Sequence, residues 1–235
     1  MIQYFKLPVQ FDAARLQQEA SGLTAGLWKQ HYNTKDYEGS WSVIPLRSFM
    51  GLLDANFSAP VSLNGENRYQ DTELMQHCPY VQEVLDWFQC EKTAVRLMNL
   101  AAGAVIKEHC DDALNLEAGE ARLHIPVQTN PQVAFYVANE QVPLQAGDCW
   151  YLNLSLPHKV HNLGDSDRIH LVIDCLVNDW LLALLDEPGV IKKELEPAAQ
   201  QRTYLPGEKE QIIAQLKSMG TSMGDELAAR MEAEI

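Results

Sequence analysis

Three residues in this chain have the types and spacing of a metal site. His109-Cys110-Asp111 places an imidazole and a carboxylate two residues apart, and His158 follows 47 residues beyond Asp111, in the stretch LSLPHKVHN. On a strand, residues two apart project from one face, so His109 and Asp111 are expected on one side and Cys110 on the other. Alone, the tripeptide says little, since about 0.4 matches arise by chance in a chain of this composition. His158 strengthens the signal, because strands separated by that distance can meet across a β-sandwich. Two imidazoles and one carboxylate leave three octahedral positions open, the arrangement of a non-heme Fe(II) oxygenase. Fe(II) held in this way keeps one positive charge. A bidentate 2-oxoacid then fills two positions and O2 the third.

A dianionic co-substrate inside a barrel needs a fixed cation for its far carboxylate, and a guanidinium fork suits a carboxylate best. Arg168, at the head of the apolar run RIHLVID, supplies one. Alternation along that run puts Arg168 and His170 on one face, and Arg122 and His124 in ARLHIPV repeat the pattern. Two Arg-x-His strands facing one interior make a polar pocket. His161 is the alternative third metal ligand, but the ten-residue spacing to Arg168 favours His158. The plainer readings are a salt bridge from Arg168 to Asp165 or Asp167 and a satisfied core histidine at His124. Asn99, Asn130 and Arg47 are explained equally well as turn caps or solvent-facing positions. His170 and His31 are read as structural, and Trp150 and Tyr151 as core.

The elements that must position these residues lie between Ala94 and Cys175. AVRLMNL, AVIKEH, ARLHIPV, VAFYVAN, CWYLNL and RIHLVIDC are short apolar runs about 10 residues apart, separated by Gly and Asn-Pro turn signals. Roughly 80 residues can supply the eight strands of a double-sheet jelly roll. Before them, Asp12 caps a helix that stops near Gly22, residues 41–49 form a strand interrupted by Pro45, and residues 72–88 have a helical period that Pro79 restarts. After Cys175 the pattern turns helical. The expected organisation is an α/β-framed β domain over 1–178 with its core at about 94–176, and a helical appendage over 179–235. The appendage carries 11 acids and 6 bases. It is read as packing on the domain or joining two copies in a homodimer.

The formal charge of −14 over 235 residues opposes binding to nucleic acid or to an anionic membrane. No apolar run approaches the roughly 20 residues of a transmembrane helix, and the start MIQYFKLPVQ lacks a signal-peptide pattern. A soluble cytoplasmic protein is expected. Five cysteines without a CxxC pair point to reduced and mostly buried thiols rather than disulfides.

The stretches RLMNLAAGAVIKEHCD, EARLHIPVQTN, QAGDCWYLNLSLPHKVHN and DRIHLVIDC resemble the aspartyl/asparaginyl β-hydroxylase-like family of 2-oxoglutarate/Fe(II) dioxygenases, which includes bacterial free-proline hydroxylases. The resemblance covers about residues 94–176, and WSVIPLRS more loosely. It implies a double-stranded β-helix, or cupin-like jelly roll, with Fe(II) held at His109, Asp111 and His158. It also implies that Arg168 grips 2-oxoglutarate, while Arg122 and His124 contact a co-substrate or substrate carboxylate. Members acting on protein domains lack the metal-binding carboxylate, whereas this chain keeps Asp111. The implied reaction is hydroxylation of an unactivated C–H bond of an amino acid, either free, such as proline, or a peptidyl Asp or Asn. The competing readings are a non-catalytic jelly-roll sensor and a cupin-type metal enzyme that does not use 2-oxoglutarate. Dependence on 2-oxoglutarate separates both from the first.

Overall fold

The computed structural model describes residues 1–23, 25–54, 62–63, 66–112, 114–195, 213–214 and 217. Met1–Leu195 forms one compact unit and Glu196–Ile235 a second. Eight strands build the core of the first unit: β1 (Lys92–Leu100), β2 (Val105–His109), β3 (Glu120–Gln128), β4 (Val133–Val137), β5 (Glu140–Val142), β6 (Asp148–Leu152), β7 (His158–Asn162) and β8 (Arg168–Leu176). The large sheet runs β6-β3-β8-β1 at its centre and the small sheet β5-β4-β7-β2, all antiparallel. This is the order of a double-stranded β-helix, as expected. Strands Ile2–Gln10 and Lys192–Glu194 extend the large sheet beyond β6, and Trp41–Phe49 extends it beyond β1.

The large sheet is covered on both faces, and sequence alternation decides what goes where. Val95, Leu97, Leu123, Ile125, Tyr151, Leu171 and Ile173 pack outward with residues of helices α1 (Ala13–Gly22), α2 (Pro79–Trp87) and α3 (Asp179–Ala183) in one apolar cluster. Met98, Trp150 and Val172 point inward and meet Ile106, Phe135, Val137 and Val160 of the small sheet in a second. Interleaved with that inner cluster are six buried or nearly buried polar residues at alternating positions of β1, β3 and β8: Arg96, Arg122, His124, Arg168, His170 and Asp174. A sheet dry on one face and charged on the other needs this strict two-residue period.

Asp12 caps α1 by accepting from the amides of Ala14 and Arg15, and the helix ends at Gly22. Pro79 starts α2, while the residues before it, Glu73–His77, form a 3-10 turn rather than an α-helix. Pro45 does not interrupt its strand. Trp41–Phe49 is continuous, with a register shift between Pro45 and Arg47 that absorbs the missing N–H. The helical reading just after Cys175 corresponds to α3 and the 3-10 turn Leu184–Asp186. These, with Lys192–Glu194, belong to the first compact unit, so the division falls after Leu195 rather than before residue 179. Lys192–Glu194 is a strand where the sequence was expected to be helical, and of the tail beyond Leu195, Ile213, Ala214 and Lys217 are helical. The remainder lies outside the described residues. Cys78, Cys90, Cys149 and Cys175 are free and buried, and Cys110 is free and exposed. No helix among the described residues is long and apolar enough to cross a membrane.

Asn162, fully buried at the end of β7, ties the sheets together. Its Nδ2 donates to the carbonyls of Leu100, Ala101 and Ser166, and its Oδ1 accepts from Asn130 Nδ2 and the Gly164 amide. Asn162→Ala removes partners from several buried groups at once. The expected loss is about 2–3 kcal/mol of stability, measured as a lowered denaturation midpoint at unchanged m-value.

Candidate active site

β2 and β7 pair so that His109 and His158 are register partners, with ring centroids 4.2 Å apart. β2 ends at His109, so Asp111 does not lie on the strand as the sequence reading expected. It follows in irregular backbone, where its amide donates to Leu154 O at 2.8 Å. That bond brings the carboxylate back beside the imidazoles, and one ligand atom from each of His109, Asp111 and His158 lies within 4.8 Å of the other two. His109 Nδ1 is 2.8 Å from Lys107 O, and His158 Nδ1 is 3.0 Å from Leu156 O. A carbonyl only accepts, so each Nδ1 carries the proton and each Nε2 keeps its lone pair. Burial pushes the His158 pKa down to about 4, which keeps that ring neutral. The donor set, its spacing and its tautomers fit a divalent metal with open positions. His161 points away from this cluster. It occupies an outward position of β7 against the Tyr136 ring.

Arg168 is buried, with 2 % exposure, and no carboxylate pairs with it among the described residues. Asp167 instead accepts from Asn99 Nδ2 and the Ala102 amide. Burial alone pushes the guanidinium down to about 9, and its Nε has no partner among the described residues. An unneutralised buried cation costs several kcal/mol. The residue shares a cavity with the triad, whose other walls include Phe135, His124, Ile106, Leu154 and Val160. His124 is buried, and its Nε2 also lacks a partner.

Arg122 is arranged differently from expectation. Its donors go to Asp111 Oδ2 at 2.8 Å and to both oxygens of Asp174, at 2.6 and 3.0 Å. It therefore orients the carboxylate of the triad from behind. Asp174 is shared with Arg96, and the two guanidiniums hold its carboxyl below the ordinary range despite a burial effect that pushes it up. Arg47 pairs with Asp71, and Asn130 caps a turn by accepting from the Gln132 amide.

A second cavity, of about 330 Å³, adjoins the first at Trp41, Met98, His109, Asp111 and Arg122. Its other walls include His31, Tyr32, Arg96, Asp112 and Glu120. The sequence reading did not single out Arg96, Asp174 or Glu120, and it treated His31 as structural. The available signal was parity: Arg96 in AVRLMNL and Asp174 in RIHLVID have the same alternation as Arg122 and Arg168. His31 stacks on Trp41 at 3.6 Å, and burial with nearby Arg96 and Arg122 pushes its pKa down to about 3.

The family profile described as aspartyl/asparaginyl β-hydroxylase matches residues 10–177. The L-proline cis-4-hydroxylase of Rhizobium meliloti is 29% identical over 177 residues, which span 74% of this chain and 61% of that protein. Among solved structures, an oxidoreductase of the 2OG-Fe(II) oxygenase family from Burkholderia pseudomallei aligns at 14% identity and a TM-score of 0.48, over 74% of this chain and 85% of its own. A prolyl-4-hydroxylase from Pseudomonas putida aligns at 12% identity and a TM-score of 0.43, over 75% and 92%. Both structural likenesses are distant.

Four neutral buried imidazoles have a consequence for stability. Burial holds His31, His124, His158 and His170 below the ordinary histidine range. On unfolding, each returns to a pKa near 6.5 and takes up a proton below that pH. The unfolded state then binds more protons, so stability falls as pH drops through the window from about 6.5 to 4. The slope is up to about 1.4 kcal/mol per pH unit for each histidine. Denaturant titrations of metal-free protein between pH 8 and pH 5 should be flat above 7 and steep below 6.5.

Proposed function

Since the chain belongs to the aspartyl/asparaginyl β-hydroxylase family, we propose that it is a 2-oxoglutarate- and Fe(II)-dependent dioxygenase that hydroxylates an unactivated C–H bond of a free amino acid such as proline. The observation that carries this reading is the buried guanidinium of Arg168, which has no carboxylate partner among the described residues and opens on the same cavity as the His109, Asp111 and His158 cluster. A cation kept in that state is matched by a dicarboxylate that reaches from the metal to the arginine.

His109 and His158 would bind Fe(II) through Nε2 and Asp111 through a carboxylate oxygen. Arg122 fixes the direction of Asp111, and the carbonyls of Lys107 and Leu156 fix the ring tautomers. When bound, the metal and co-substrate supply oxidative decarboxylation of 2-oxoglutarate to succinate and CO2, with one oxygen atom of O2 passing to the substrate carbon. Phe135, stacked parallel to His158, lines the inner cavity with Ile106, Leu154 and Val160 and keeps it apolar around the reacting groups.

The outer cavity is the site for the amino acid. Arg96 Nε and Trp41 Nε1 are buried, without partners among the described residues, and stand as donors for an α-carboxylate. Glu120 faces the same space and can accept from an ammonium. The relative from Rhizobium meliloti, named for a free imino acid, supports a free substrate over a peptidyl one.

The test is ligand-linked stability followed by turnover. N-oxalylglycine at about 100 times its Kd should stabilise Mn(II)-loaded protein by about 2.7 kcal/mol. Arg168→Met should abolish this gain while leaving the metal-free fold as stable as wild type or more so, because an unpaired buried charge is removed. Proline-stimulated succinate formation, lost in His109→Ala, completes the test. Absence of any stabilisation by 2-oxoglutarate or N-oxalylglycine in the metal-loaded wild type would sink the reading.

A further inference from the structure

His170, on the polar inner face, reaches two of its neighbours through a single atom. It is 1 % exposed on β8, two residues beyond Arg168. Its Nδ1 lies 3.0 Å from Arg168 Nη2 and 3.3 Å from His124 Nδ1. A guanidinium has no acceptor, so the Arg168 contact is a hydrogen bond only if His170 Nδ1 bears a lone pair. His170 is then protonated on Nε2. With that lone pair fixed, the 3.3 Å contact is favourable only if His124 Nδ1 carries the proton. Both tautomers are therefore set by the arginine, and the free Nε2 of His124 is an acceptor on the wall of the inner cavity.

The acceptor at Arg168 is neutral, and this distinguishes it from the other buried arginines. Asp174 pairs with both Arg96 and Arg122, taking Nη2 of the first and Nε and Nη2 of the second. His170 instead orients one Nη of Arg168 by a directional hydrogen bond and leaves the positive charge uncompensated. A carboxylate at the same place would satisfy the guanidinium and compete with any incoming anion. An apolar residue would leave the fork free to turn.

We propose that His170 is a positioning residue for co-substrate binding: its neutral Nδ1 holds the Arg168 guanidinium in place, and His124 in its Nδ1–H tautomer, without quenching the charge that the co-substrate carboxylate meets. The role acts through Arg168 and rests on the dioxygenase reading above. His170 touches neither metal ligand nor substrate cavity, which separates it from the groups assigned there.

Three substitutions test it. In His170→Asn the amide oxygen stands near the Nδ1 position and remains a neutral acceptor. In His170→Asp the acceptor becomes an anion. In His170→Leu it is lost. The first readout is the Kd of N-oxalylglycine for the Mn(II)-loaded protein by calorimetry. The asparagine variant should stay within about threefold of wild type, and the aspartate and leucine variants should weaken by about tenfold or more. Steady-state kinetics should place the defect in the KM for 2-oxoglutarate, with kcat at saturation and the KM for the amino acid little changed. A second readout needs no activity: the imidazole 15N shifts of His124 in metal-free protein should report a protonated Nδ1 and a bare Nε2, and should change in the leucine variant.

A merely structural His170 predicts equal loss of stability in the asparagine and leucine variants with unchanged co-substrate affinity, and that result overturns the proposal. So does an aspartate variant that binds N-oxalylglycine as tightly as wild type. If the leucine variant fails to fold, the asparagine and aspartate pair still decides the question. A wild-type protein with no affinity for N-oxalylglycine overturns the dioxygenase reading, and this proposal with it, even if the 15N shifts are as stated.

Discussion

A guanidinium buried without a counter-ion among the described residues is the constraint on which the rest of this structure depends. Arg168 is costly to the fold, and the surrounding residues limit that cost without removing it. A neutral imidazole accepts from one Nη, an aromatic ring lies 5.7 Å away, and a cavity opens toward the His/Asp/His cluster. The neighbouring arginines show the alternative. Arg96 and Arg122 converge on Asp174, and Arg122 continues to Asp111, so two cations and two anions form a network whose charges balance. The interior thus holds charge in two states, one balanced by carboxylates, the other unbalanced among the described residues and available.

Such an interior is stable only inside a sheet covered on both sides. The outward residues of β1, β3, β6 and β8 pack with the helices in a dry cluster, and that face supplies the apolar burial that offsets the charged one. The small sheet closes the other side and brings β2 and β7 into the register that joins His109 to His158. Asn162 holds the turn after β1, the loop before β8 and the end of β7 to one another, linking the strand that carries His158 to the one that carries Arg168. The net charge of −14 belongs to the chain as a whole. The polar inner face, with three arginines against Asp174 and Asp111, is locally positive and suited to an anionic ligand.

The β-strand periods between residues 94 and 176 were legible because each strand buries opposite faces in opposite environments, and a two-residue alternation records that directly. Asp12, Gly22 and Pro79 marked helix ends for equally local reasons. Pro45 misled because the loss of one N–H can be taken up by a bulge, and a sequence does not show whether a neighbouring strand will shift register to do so. Asp111 was identified by spacing but assigned to the wrong backbone. The irregular backbone that carries it depends on a hydrogen bond from its own N–H to Leu154 O, a partner 43 residues away.

The sequence by itself determined the residue types of the site, the parity of Arg122, His124, Arg168 and His170, and the acidic balance of the chain, since these are properties of composition and of local period. Only the tertiary structure decided which charges are paired. Arg122 and Arg168 look alike in their strands, yet one lies between two carboxylates and the other has none among the described residues. That difference depends on which side chains the crossing of β1, β2, β3 and β8 brings within about 3 Å, the range of a hydrogen bond. Pairing is a property of distance in space, and alternation along one strand carries no information about what faces it from another.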